Sequence, residues 1–128
     1  MSLTTAPRPS VLPDEGVVLS RAVAKAASIW SISNETLGQI IGVSGPTISR
    51  LRNGKWVLER GTKPFELAQL FVRLFRSLDA LVGGDDAAAV AWLHSPNADL
   101  GARPLDLILT IRGLMTTADY VDDFRGRT

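Results

Sequence analysis

A chain of 128 residues with a formal net charge of +1 is sized for one domain, or for two small units sharing a core. It has no cysteine, which removes disulfides, thiolate metal sites and cysteine nucleophiles together. No uninterrupted apolar run reaches the roughly 18 residues of a membrane span, and MSLTTAPRPSVLPDE lacks a basic stretch followed by an apolar core, so a soluble cytoplasmic protein is expected.

The small net charge hides an asymmetry. Residues 1–64 hold eight Lys and Arg against four Asp and Glu, a balance of +4, whereas residues 65–128 hold six against nine, a balance of −3. Arg50, Arg52, Lys55, Arg60 and Lys63 fall within 14 residues, opposed only by Glu59. A cluster of that kind can neutralise phosphates whatever the base sequence. The acidic second half is unsuited to nucleic acid.

Residues 1–13 contain Pro7, Pro9 and Pro13 among Ser and Thr and read as a disordered arm. Asp14 and Glu15 suit the positive end of a first helix running to about Trp30, whose apolar positions Val18, Leu19, Ala22, Val23, Ala26 and Trp30 would face the core. Ser33 caps the next helix, in which Leu37, Ile40 and Ile41 form one stripe around Gly38. Gly42 supplies the positive φ that ends it, and Ser44 caps a third helix with Pro46 in its first turn. Ile48 and Leu51 then face inward, leaving Thr47, Ser49, Arg50 and Asn53 outside. This is the layout of a helix-turn-helix, expected to span residues 14–63 with its loop. Trp30 and Trp56 bracket it as core or rim aromatics.

The segment 54–63 reads as a loop, with Trp56, Val57 and Leu58 able to add a short extended contact. Pro64 opens the longest helix, to about Val82, within a central connector at 64–84. Phe65, Leu67, Ala68, Leu70, Phe71, Val72, Leu74, Phe75, Leu78, Leu81 and Val82 are too many for one stripe. Such a helix lies between two neighbours or lends its second side to another chain. Burial within the monomer is the simpler account, a homodimer the alternative. Arg73, Arg76 and Asp79 should face solvent.

Gly83-Gly84 ends this helix, and Asp85 caps a short one to about His94. Turns follow at Pro96-Asn97 and from Gly101 to Pro104. The run PLDLILTIRG predicts a helix from Pro104 that stops at Gly113 as the residue after its C-cap, with Thr116 or Thr117 capping a last helix, ADYVDDFRG. No stretch alternates with period two, so the fold class is all-α with about seven helices.

Two resemblances add function. Leu37-Gly38, Ile41-Gly42-Val43-Ser44, Ile48-Ser49 and Asn53-Gly54 resemble the Xre-type helix-turn-helix of phage and plasmid repressors. There the second helix enters the major groove, so Ser44, Thr47, Ser49, Arg50, Arg52, Asn53 and Lys55 become the DNA-binding residues. Gly45 and Pro46 depart from the pattern, because they occupy the start of that helix with nothing to hydrogen-bond a base. Operator binding is therefore expected to be weak or dependent on assembly. The order Ala91-Trp92-Leu93, Ser95-Pro96-Asn97, Leu100, Pro104-Leu105-Asp106-Leu107, Gly113, Val121 and Phe124 is similar to the C-terminal toxin-binding domain of Xre/MbcA/ParS-type antitoxins, ParS-like members in particular. It would make residues 85–128 a toxin-binding domain joined through the central helix to the helix-turn-helix.

That resemblance implies a partner, a RES-domain toxin that consumes NAD by degrading it or by transferring ADP-ribose, held in a hetero-oligomer such as a heterotetramer. It also implies that Tyr120, Val121, Asp122, Asp123, Phe124, Arg125, Gly126, Arg127 and Thr128 cover or enter the toxin's active site. Their chemistry is compatible with that role: carboxylates can meet arginines that hold a pyrophosphate, Arg125 or Arg127 can meet an acidic catalytic residue, and Phe124 can anchor. The alternative is a free-standing repressor whose acidic half dimerises, or a scaffold with a vestigial helix-turn-helix. Catalysis lacks support, and no cofactor or metal is expected. His94 stands alone at a helix end, Asp85-Asp86 and Asp122-Asp123 are adjacent rather than on one helix face, and Gly83-Gly84 lacks the Lys and Ser/Thr of a phosphate loop.

Overall fold

The computed structural model describes residues 14–126, and among these it contains seven helices and no named strand. The arm expected at 1–13, with Arg127 and Thr128, lies outside the described residues. The all-α architecture matches expectation, and its order follows from caps written into the sequence. Helix α1 (Glu15–Ile29) starts at Asp14, whose carboxylate accepts from the Gly16 amide at 2.7 Å. Helix α2 (Asn34–Ile41) is capped by Ser33, and Gly42 ends it with φ +80°, a conformation that costs an L side chain energy. Helix α3 (Gly45–Arg52) begins at Ser44, which accepts from the Thr47 amide at 3.2 Å. Gly38 leaves room for the turn that follows α2, since a Cβ there would overlap the Val43 carbonyl oxygen.

Helix α4 (Lys63–Leu81) is the central member. It packs on α1 and α2 along one side and most extensively on α7 (Ile111–Gly126) along the other. Phe71, Leu74 and Leu78 are fully buried, and Trp30 closes on Phe71 edge-to-face at 5.5 Å and on Phe75 at 5.1 Å. Most of the two-sided apolar pattern of α4 is thus satisfied inside the monomer. Helices α5 (Asp86–His94) and α6 (Pro104–Leu107) cover the remaining flank.

Three local expectations fail. Val18 was expected to face the core and is 46% exposed. The buried face of α1 is rotated, because Gly16 and Ser20 abut the 54–63 segment: the Ser20 hydroxyl accepts from the Leu58 amide at 2.9 Å and donates to the Gly16 carbonyl. That segment is therefore more than a loop, since Leu58 is a core residue.

The other two failures concern the last helices. Gly113 does not terminate a helix; it lies in the first turn of α7, and α6 ends six residues earlier, at Leu107. Neither Thr116 nor Thr117 caps α7. Thr110 does so, accepting from the Gly113 amide at 3.0 Å, and Thr117 is fully buried. Glycine is needed at 113 for space, because a Cβ would run into the Leu107 carbonyl. Gly113→Ala should therefore cost about 3 kcal/mol, near the upper range for overpacking. Denaturant unfolding checks this, and a loss within about 0.5 kcal/mol would mean the α6–α7 junction relaxes freely.

Candidate functional site

Most of the residues the sequence nominated for DNA lie on the outer face of α3 or just beyond its ends. Thr47 and Ser49 are half-buried, and Arg50, Asn53 and Lys55 are exposed. Their hydroxyls are already organised: Ser44 and Thr47 share a hydrogen bond at 2.9 Å, and Arg50 donates to Thr47 at 3.3 Å. Ser44 is occupied as a cap, so Thr47 and Arg50 form a small polar surface behind the bare Gly45-Pro46 turn. The five-residue basic cluster is less uniform than its spacing suggested. Arg52 turns inward and donates to the Ile32 carbonyl at 2.7 Å, which ties α3 to the α1–α2 turn. Arg60 pairs with Glu15 at 3.0 Å and Lys63 with Glu66 at 3.4 Å. Both of those pairs are highly exposed, so they are weak and can open to a phosphate.

At the other end, the residues nominated for the toxin divide into two sets. Val121 is fully buried in the seam with α4. Asp122 is bound there as well: it accepts from the buried Ser77 hydroxyl and from Arg73 Nε at 2.7 Å. Arg73 also reaches Asp119 at 2.8 Å, and Arg125 donates to Ser77 at 3.3 Å. Desolvation pushes the Asp122 carboxyl up, but the hydrogen bonds from Ser77 and Arg73 and the charges of Arg73 and Arg125 outweigh it and hold the group below the ordinary carboxylate range. The Arg73 guanidinium is raised, first by its bond to Asp122 and then by that to Asp119. Arg73, expected simply to face solvent, is thus a staple.

Asp123, Phe124, Arg125 and Gly126 are exposed on the last turn of α7. Tyr120 starts an aromatic row: its ring stacks on Trp92 at 6.4 Å and meets Phe124 edge-on at 4.9 Å, and its hydroxyl donates to Asp99 at 2.7 Å. The sequence reading missed Arg73 and Ser77, and it did not join Trp92 and Asp99 to Tyr120. The i, i+4 spacing of Arg73 and Ser77 opposite the i, i+3 spacing of Asp119 and Asp122 was a legible signal only once the pairing of α4 with α7 was known. The Pro104-Leu105-Asp106 run has a local role, with Asp106 held by Arg103 at 2.8 Å.

The staple has a pH signature. A carboxyl whose folded pKa is depressed adds stability that is fully present above its unfolded pKa and is lost as pH falls through the folded value. Asp122→Asn should cost about 1 kcal/mol near neutrality, a figure discounted for the partial solvent exposure of the pair. Its unfolding midpoint should approach that of the wild type as pH is lowered through the carboxylate range. Curves that stay parallel throughout would remove Asp122 from the staple.

Two family models match the chain. Residues 11–73 match the antitoxin Xre-like helix-turn-helix domain, and residues 77–127 match the antitoxin Xre/MbcA/ParS C-terminal toxin-binding domain. A comparison with curated proteins found no match. Among the described residues no helix is long and apolar enough to cross a membrane. A helix-turn-helix on α2 and α3, followed on the same core by a toxin-binding half built on α7, is the arrangement of these two models in order, and the chain belongs to the Xre/MbcA/ParS antitoxins.

Proposed function

We propose that this antitoxin neutralises a RES-domain, NAD-consuming toxin with the end of α7, and represses its own operon through α3. The observation that carries the reading is the toxin-binding match over residues 77–127, which ends on a helical turn where Asp123, Phe124, Arg125 and Gly126 are exposed. Tyr120, Asp123, Phe124, Arg125, Gly126, Arg127 and Thr128 form the contacting segment in this reading. Val121 and Asp122 set its direction from within the seam. Phe124 supplies the apolar anchor, and Asp123 or the chain's last arginines meet charged groups that would otherwise hold the cofactor. The action is occlusion and requires no catalysis by the antitoxin.

Truncation after Asp122 tests this while leaving the staple and the buried Val121 in place. Co-expressed with a RES-domain toxin that the full-length chain neutralises, the truncated chain should fold and fail to suppress NAD loss or ADP-ribose transfer. Full suppression would refute occlusion by this segment. A partner outside the RES class would overturn the toxin assignment, though not the family.

For DNA, Arg50 and Lys55 are the exposed cations that enter no ion pair among the described residues of the cluster. With Thr47, Ser49 and Asn53 beside them, they give few phosphate contacts and limited base readout, so affinity from one copy is modest. Arg50→Ala should weaken operator binding about tenfold and reduce the salt slope by about one. Arg52→Ala should chiefly lower the unfolding midpoint, since it loses the Ile32 tie. The reverse pattern between these two variants would mean that α3 presents a different face.

A further inference from the structure

Three aromatic rings climb from the core to the surface at the end of α7. Trp92 of α5 and Tyr120 of α7 are partly buried against the core, and Phe124, one turn further along α7, is 37% exposed. The i, i+4 spacing of Tyr120 and Phe124 puts both rings on one face of the helix. Trp92 lies nearly parallel to Tyr120, with 18° between the ring planes, and Phe124 stands at 62° to it with the centroids 4.9 Å apart. The hydroxyl at the tip of the middle ring donates to Asp99 Oδ2 at 2.7 Å. The Tyr120 ring is thus held both by its stack and by its tip, and rotation about χ1 would break the two contacts at once.

Asp99 is a fixed acceptor, because Asn97 closes the loop that carries it. The Asn97 amide donates to the Ala102 carbonyl at 3.1 Å, its own carbonyl accepts from the Gly101 amide at 2.8 Å, and its side-chain oxygen accepts from the Leu100 amide at 3.0 Å. The turn after α5 therefore does more than reverse the chain: it delivers a carboxylate to α7. A hydrogen bond to so exposed a carboxylate adds little stability, and the burial of Leu93 and Val121 already seats α5 and α7 in the core. Its effect is geometric. An apolar anchor that is oriented beforehand loses less rotamer freedom when it enters a partner's pocket.

We propose that Tyr120 is a positioning residue for toxin recognition: stacked on Trp92 and tied to Asp99, it holds Phe124 in the orientation that the toxin receives. This rests on the reading in which the end of α7 occludes the toxin. Within that segment the Tyr120 hydroxyl acts through Phe124 rather than on the toxin. Trp92 and Asp99, from a different stretch of the chain, join the recognition apparatus without touching the partner. When only a fraction of molecules present the anchor correctly, the apparent affinity falls by that fraction. The fall appears in the association rate, because a complex once formed holds the Phe124 ring itself.

Binding kinetics of the full-length chain with a RES-domain toxin that it neutralises test this. Tyr120→Phe keeps the ring and removes the hydroxyl, and it should slow association about fivefold. Its dissociation rate, helical circular dichroism and unfolding midpoint should stay nearly unchanged. Asp99→Ala should do the same, and the double variant should lose no more than either single one. Asp99→Asn, whose side-chain carbonyl can still accept, should keep most of the wild-type rate. A wild-type association rate in Tyr120→Phe overturns the proposal. So does faster dissociation at unchanged association, which puts the hydroxyl on the toxin itself, and so do losses that add in the double variant. Truncation after Asp122 separates this from the reading beneath it. Binding and inhibition that survive truncation overturn both, whereas their loss there with none in Tyr120→Phe overturns the positioning alone.

Discussion

Burial of α4 from both sides is the constraint on which everything else rests. Phe71, Leu74 and Leu78 have no exposed surface, and the core around them draws on both halves of the chain: Trp30 at the end of α1, and Leu114, Ala118 and Val121 on α7. Each such large side chain contributes about 2 kcal/mol by leaving water. No cut along α4 can therefore separate a helix-turn-helix unit from a toxin-binding unit without exposing the faces that hold them together. The family matches meet between residues 73 and 77, inside this helix. Two recognisable sequence domains share one core.

The polar staple gives the seam its direction. Apolar packing between two parallel helices tolerates sliding and rotation, because dispersion and area burial are non-directional. A guanidinium held by Asp119 and Asp122 is not so tolerant, nor is a buried Ser77 hydroxyl that must find its acceptor. The staple adds little stability, since Arg73 and Asp119 are largely exposed. Its contribution is register: it fixes the angle at which the last turn of α7 leaves the core, and with it the presentation of Asp123, Phe124 and Arg125.

The fold was legible in the sequence where local chemistry decides it. Ser33, Ser44 and Asp85 cap the helices they were expected to cap, and Gly42 makes the turn. The reading failed where tertiary packing decides. Gly113 resembles a stop signal, yet it is a clearance for the Leu107 carbonyl, and no one-dimensional pattern separates a glycine needed for φ from one needed for room. Val18 was misplaced because α1 buries a glycine and a serine, Gly16 and Ser20, which a count of apolar residues ignores. At the candidate sites, residue types were visible and partners were not. Arg52 and Asp122 looked like surface charges until the structure turned each inward to a specific acceptor or donor.

A shared core also bears on how such a molecule responds to its partners. Anything that binds the folded state alone stabilises it by RT ln(1 + [L]/Kd), and in a two-state body that gain spreads to every segment unfolding with it. A toxin seated on α7 would thus protect α2 and α3 from opening, although neither touches it. Operator DNA on α3 would protect α7 in the same way. The coupling requires no change of shape, only that α4 cannot unfold for one half and remain folded for the other. In a protein built as two domains on a flexible linker this would be absent. Here it follows from Phe71, Leu74 and Leu78 belonging to both halves at once.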